Sequence, residues 1–322
     1  MDVKSLPDFK ILPYPRTTPP QPEAEPTTEL TLNTSSSWTY CGPLLPLDAR
    51  DLPPSFHTWA QATINGCVLD PLLSFLAFVH EFLETNGLSH YWVTVRTSQA
   101  SSDFDVPRWH TDDSFFAQPE SEDPRSRFMP GLLSRVVVPR TLRLRRHRHP
   151  TNTTTTAAKK EKKSSISTRT NGITTIPSKT KDTVPTDWKL TTTLLGPGTL
   201  FIPTHTSPKA RAAQATAKAA ARAAHQEQIC HSVRCVGCAM AAESVRRRLA
   251  LELEDHAIVQ AWPGECVFLR IGEEHGAVHS EPVASGDRIF VNVVPGRDDE
   301  LVALMRRWGM EFPRAWCVGL GS

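Results

Sequence analysis

Apolar positions recur every three or four residues across LDPLLSFLAFVHEFLETNGL (69–88). Leu72, Phe75, Leu76, Val79, Phe82 and Leu83 fall on one face and predict a helix. Asp70 can cap its N-terminus, Pro71 suits its first helical position, and Asn86-Gly87 supply a stop. The period then shortens. HYWVTVRTS (90–98) is rich in β-branched and aromatic residues and reads as a strand; so do the two halves of WKLTTTLLGPGTLFIP (188–203), on either side of a Gly-Pro-Gly turn. From His256 onward AIVQAW, CVFLRI, GAVHSEP and RIFVNVVP are short strand-like runs separated by tight turns. LVALMRRWGMEF closes the chain's pattern as a helix.

Three segments interrupt this rhythm. Residues 1–36 hold Pro7, Pro13, Pro15, Pro19, Pro20, Pro22 and Pro26 and predict a disordered arm, with packing starting near Trp38. Residues 140–187 are rich in Thr, Ser, Lys and Arg and predict a disordered basic insert. Residues 205–255 hold two Ala-rich helical runs, SPKARAAQATAKAAARAAHQEQ and CAMAAESVRRRLALELED, and predict a helical insert. One domain over 37–322 is expected, mainly β with flanking helices (α+β). Short strands joined by Gly/Pro turns favour a double-sheet β-barrel of jelly-roll type.

Charge sharpens the division. Between Arg140 and Lys181 stand 12 Lys or Arg against Glu161 alone, a segment of +11. The remaining 24 cations and 33 anions leave the rest of the chain at −9. A flexible basic loop accounts for the insert, and recruitment of nucleic acid through 140–181 is the functional alternative. No apolar run is long enough to span a membrane and no secretory pattern opens the chain, so a soluble intracellular protein is expected. The seven cysteines then read as thiols or metal ligands rather than a disulfide framework. No Gly-rich phosphate loop is present: GPGTLF opens a strand and lacks the lysine.

The chemistry gathers in PRWHTDDSFF (107–116). His110 and Asp112, two apart in extended chain, point the same way and offer two ligands of the two-histidine, one-carboxylate set that holds non-haem iron. Alternation turns Asp113 away. The third ligand is expected at His279 in GAVHSEP, ahead of His275 in the turn-like GEEHG. Nine residues beyond His279, a hairpin through VASGD would bring Arg288 to the same end of the barrel, where its guanidinium could hold a carboxylate. The bland readings are a hydrogen-bonded polar His110 and an Arg288 in a surface ion pair with Asp287.

RWHTDDSFF, TTTLLGPGTLFIP, WPGECVFL and GAVHSEPVASGDRIF, in this order, resemble the Fe(II)/2-oxoglutarate-dependent dioxygenase superfamily. Within it they look nearest to an uncharacterised, mostly bacterial domain family with similar His-x-Asp, Gly-Pro-Gly-Thr and Val-His blocks. The resemblance covers 90–117, 188–203 and 256–295. It implies a double-stranded β-helix (cupin-like) core, Fe(II) on His110, Asp112 and His279, and 2-oxoglutarate on Arg288 with Thr193. Two departures stand out: Ser280 occupies the place of an arginine after the distal histidine, and Thr193-Leu194-Leu195-Gly196 lacks the family's tyrosine.

A second constellation, CHSVRCVGC, offers Cys230, His231, Cys235 and Cys238 at spacing suited to structural zinc, with redox-active thiols or plain packing cysteines as the alternatives. Two functions of different kinds follow. One is an oxygenase of the hydroxylase or demethylase type; the other is a non-catalytic cupin-like module that recruits an acidic partner through its basic insert.

Overall fold

The computed structural model describes residues 1–15, 29–101, 106–116, 185–224 and 236–320. All of them belong to one compact unit, formed by Met1–Val136 and Val184–Ser322. In chain order the strands are β1 (Phe9–Pro13), β2 (Thr31–Leu32), β3 (Ser36–Pro43), β4 (Ile64–Asn65), β5 (His90–Ser98), β6 (Trp188–Leu195), β7 (Leu200–Phe201), β8 (Val259–Gln260), β9 (Glu265–Arg270), β10 (His279–Ser280), β11 (Arg288–Gly296) and β12 (Arg314–Val318). The helices are α1 (Pro54–Thr63), α2 (Leu69–Thr85), α3 (Ser207–Ala224), α4 (Val236–Glu252) and α5 (Asp298–Arg307).

Seven strands form one antiparallel sheet in the order β1-β9-β6-β11-β5-β3-β12, and β10-β7-β8 form a smaller one. β2 and β4 pair as a third, two-stranded sheet; the architecture is mixed α+β, and no sheet closes into the expected barrel. Period-two alternation divides the large sheet into two faces. Trp38, Tyr91, Val93, Leu190, Phe268, Val291 and Val293 pack against Phe56 and Trp59 of α1 and Phe75, Leu76 and Val79 of α2. On the opposite face Val267 and Leu269 of β9 meet Phe201 of β7 and Ala277, so the small sheet packs there. A third cluster joins Trp109, Ile202 and Val278 to Ala210 of α3, Leu249 of α4 and Leu253 just after it.

The N-terminal segment departs from expectation. Residues 1–15 are not a disordered arm: β1 pairs along its whole length with β9, Phe9 with Leu269 through Pro13 with Glu265. Val3, Leu6 and Leu12 are buried, and Asn86 accepts from the Val3 amide and donates to the Met1 carbonyl. Proline density misleads here because β1 is an edge strand; Pro13 loses no ladder bond where no neighbour exists. Residues 16–28 lie outside the described set, as do 140–181 and, in the cysteine cluster, Cys230, His231 and Cys235; Cys238 falls in α4.

Other boundaries shift less. The helix expected at 69–88 spans Leu69–Thr85; Val68 rather than Asp70 is its cap, Asp70 lying in the first turn, and Gly87 at the stop has a positive φ of 69°. The two Ala-rich runs are α3 and α4. The C-terminal helix ends at Arg307, and β12, absent from the periodicity reading, follows it and pairs with β3. Among the described residues, no helix is long and apolar enough to cross a membrane.

Candidate metal centre

His110 and His279 stand directly opposite each other. Among the described residues, the only ladder contact of the 108–112 segment is an antiparallel bridge between these two residues. It is closed by His110 N–H to the His279 carbonyl and His279 N–H to the His110 carbonyl, each 2.9 Å. Their rings lie 4.4 Å apart between centroids. Ser280 fastens the pair: its hydroxyl accepts from the Arg108 amide at 2.6 Å and donates to the Glu281 carbonyl. Asp112 follows, its own carbonyl accepting from Gly272 N–H at 2.7 Å.

His110, Asp112 and His279 each present a ligand atom within 4.8 Å of the others. Nε2 of His279 lies 3.5 Å from Asp112 Oδ2, and Nε2 of His110 3.9 Å from Oδ1. Each Nδ1 faces a main-chain carbonyl, Arg108 at 2.8 Å and Ala277 at 3.0 Å. A carbonyl only accepts, so both Nδ1 atoms carry the proton and both Nε2 lone pairs point to the carboxylate. This is how metal-binding imidazoles are oriented from behind. Asp113 instead pairs with Lys218 at 3.7 Å, and exposed His275 pairs with Glu274. Neither joins the cluster.

Protonation matches a ligand set. Burial, reinforced by His279, pushes His110 down to about 4 against the pull of Asp112. Burial alone would raise the Asp112 carboxyl, but Lys189 above all, then the two imidazoles, hold it well below the ordinary range. Lys189 Nζ donates to Asp112 Oδ2 at 2.9 Å, and both side chains are nearly buried. The donor types and their disposition fit a bound metal ion.

No family model, curated protein or solved structure matches the chain.

Arg288 is 7% exposed and is no surface ion pair. Asp287 turns elsewhere, accepting from the Leu32 amide at 3.1 Å. Arg288 Nε donates to the Pro197 carbonyl at 2.9 Å and Nη2 to Thr199 Oγ1 at 3.2 Å. The Gly-Pro-Gly turn makes this shelf possible: a Cβ on Gly196 would overlap the Asp287 carbonyl, one on Gly198 the Ala261 carbonyl, and Gly196 has φ 79°. Thr193 lies in register with Phe290, so it shares that face of the sheet; the hydroxyl that Arg288 reaches is that of Thr199. The expected hairpin between His279 and Arg288 does not form, because β10 and β11 belong to different sheets. Pairing ends at Ser280, and Pro282, lacking an N–H, cannot extend it.

Sequence reasoning missed four residues here. Lys189 was legible as the one charge on the inward, Thr-rich face of WKLTTTLL. Gln214 of α3 accepts from the Thr111 amide and donates to its hydroxyl, both at 2.9 Å, clamping the residue between two ligands. Arg96 of β5 pairs with Glu281. Nothing local marked these last three.

Proposed function

We propose that the chain is a non-haem Fe(II)- and 2-oxoglutarate-dependent oxygenase, of hydroxylase or demethylase type, on a double-stranded β-helix core. The observation that carries this reading is the pair of histidines, both held by main-chain carbonyls at Nδ1 so that both Nε2 atoms face one carboxylate. Two packed sheets with the cluster at the edge of the smaller one agree with such a core. Bound iron(II) would supply the activation of O₂, coupled to conversion of 2-oxoglutarate to succinate and CO₂. The protein's own part is positional. His110, Asp112 and His279 would hold the ion, while Arg288 on its Pro197–Thr199 shelf would hold the far carboxylate of the co-substrate. Thr193, facing the same interior, lies in register with Phe290 beside it.

Anaerobic titration with Fe(II) and 2-oxoglutarate tests this. A visible charge-transfer band in the wild type, lost in His110→Ala, is expected, with succinate released in air. A wild type that gives neither band nor succinate removes the oxygenase assignment. In that event, salt-sensitive nucleic-acid binding abolished by deleting 140–181 would identify the chain as a recruiting module instead.

A further inference from the structure

Beside the metal cluster the interior face of the large sheet carries an unbalanced charge. Arg96 of β5 stands opposite Phe290 of β11, with Arg288 two residues along on the same face. Both guanidinium groups lie over the Phe290 ring, Arg288 at 4.5 Å and Arg96 at 5.9 Å from its centroid. Two like charges on one ring repel, and the acid that lies against them among the described residues, Glu281, is shared with Arg108. Glu281, immediately after β10, accepts from Arg96 Nη2. The compensation is incomplete: Arg288 donates to the Pro197 carbonyl and the Thr199 hydroxyl, both neutral. Among the described residues, Arg96 Nε is buried with no hydrogen-bond partner. A buried donor of this kind and a surplus cation are costly unless something occupies the site.

We infer that Arg96, Arg288 and Glu281 form an anion pocket of net charge +1, in which Arg96 is a second recognition residue and Glu281 selects a single carboxylate over a dianionic group. Two arginines alone would favour a phosphate or phosphonate; the fixed Glu281 charge removes one unit and leaves room for one negative charge. The selectivity resides in Glu281 and the second hold in Arg96, neither of which belongs to the metal cluster. This rests on the assignment of Arg288 to the co-substrate's far carboxylate.

The test compares three 2-oxo acids on the full chain with Fe(II) under anaerobic conditions, with Kd read from the charge-transfer band. They are 2-oxoglutarate, its analogue with a terminal phosphonate, and 2-oxobutyrate, which has no distal anion. Arg96→Gln is expected to weaken 2-oxoglutarate about tenfold or more while leaving 2-oxobutyrate unchanged, as loss of a charge-assisted contact requires. Glu281→Gln is expected to shift the carboxylate-to-phosphonate preference about tenfold toward phosphonate. Should Arg96→Gln not fold, Arg96→Lys keeps the charge but not the Nε donor and is expected to weaken 2-oxoglutarate selectively, by a smaller factor. Unchanged affinities and unchanged preference overturn the pocket while the oxygenase assignment stands. If the wild type binds none of the three, the oxygenase assignment falls, and the pocket is judged on metal-free protein. There glutarate raises the melting temperature of the wild type but not of Arg96→Gln if the pocket is right, and of both or neither if it is wrong.

Discussion

Lys189 places a positive charge against Asp112 in the very carboxylate that would hold a divalent ion. A unit charge about 4 Å away at an effective dielectric near 20 is worth about 4 kcal/mol, most of which solvent and side-chain relaxation absorb. Lys189→Met is therefore expected to tighten Mn(II) binding about tenfold, measured by chelator competition; unchanged or weaker binding would show that the lysine does not oppose the ion. His110 makes a different prediction. Its folded-state pKa of about 4 lies below the ordinary 6.5. Between those values the unfolded chain takes up a proton that the folded histidine refuses. Stability therefore falls as pH drops from about 6.5 toward 4 and is fully present above that window. Urea midpoints at pH 7 and pH 5 should differ less in His110→Gln than in the wild type.

At the scale of elements, α3 is more than an insertion. Its Ala210 helps cover Trp109 and Val278, the neighbours of both histidines, and Gln214 grips Thr111 at both its amide and its hydroxyl. Gln214→Ala strands a buried Thr111 N–H, a cost of about 1–3 kcal/mol. It should also weaken Mn(II) binding by loosening the turn between His110 and Asp112. Gln214→Glu, which still accepts from the amide, should recover part of that affinity in the same titration. The Ala-rich helices were legible because propensity and composition are local. Their role was not, because a glutamine on a predicted helix carries no sign of which loop will reach it. The edge strand β1 makes the same point from the other side: seven prolines argue for disorder (Pro7 to Pro26), yet five residues between them alternate correctly and find β9.

Across the whole molecule, the core is the large sheet with α1 and α2 on one face, and its N-terminal strand seals the edge. Leu12 is 5% exposed within that core. Leu12→Ala should cost about 2–4 kcal/mol in urea unfolding, whereas a disordered arm would tolerate it without loss. The strand and helix periods of 69–98, 188–203 and 256–295 were set by the chain alone, since alternation and turn residues act over a few positions. The same holds for the identity of His110, Asp112 and His279 as a candidate triad, carried by residue type and order. Only tertiary structure decided that the two histidines face each other across one bridge with Nε2 inward, that Lys189 and Gln214 flank the cluster, that Thr199 rather than Thr193 meets Arg288, and that Arg96 and Glu281 pair beside Arg288. Those relations join residues far apart in the chain. Sheet order and packing set them, and no local pattern encodes either.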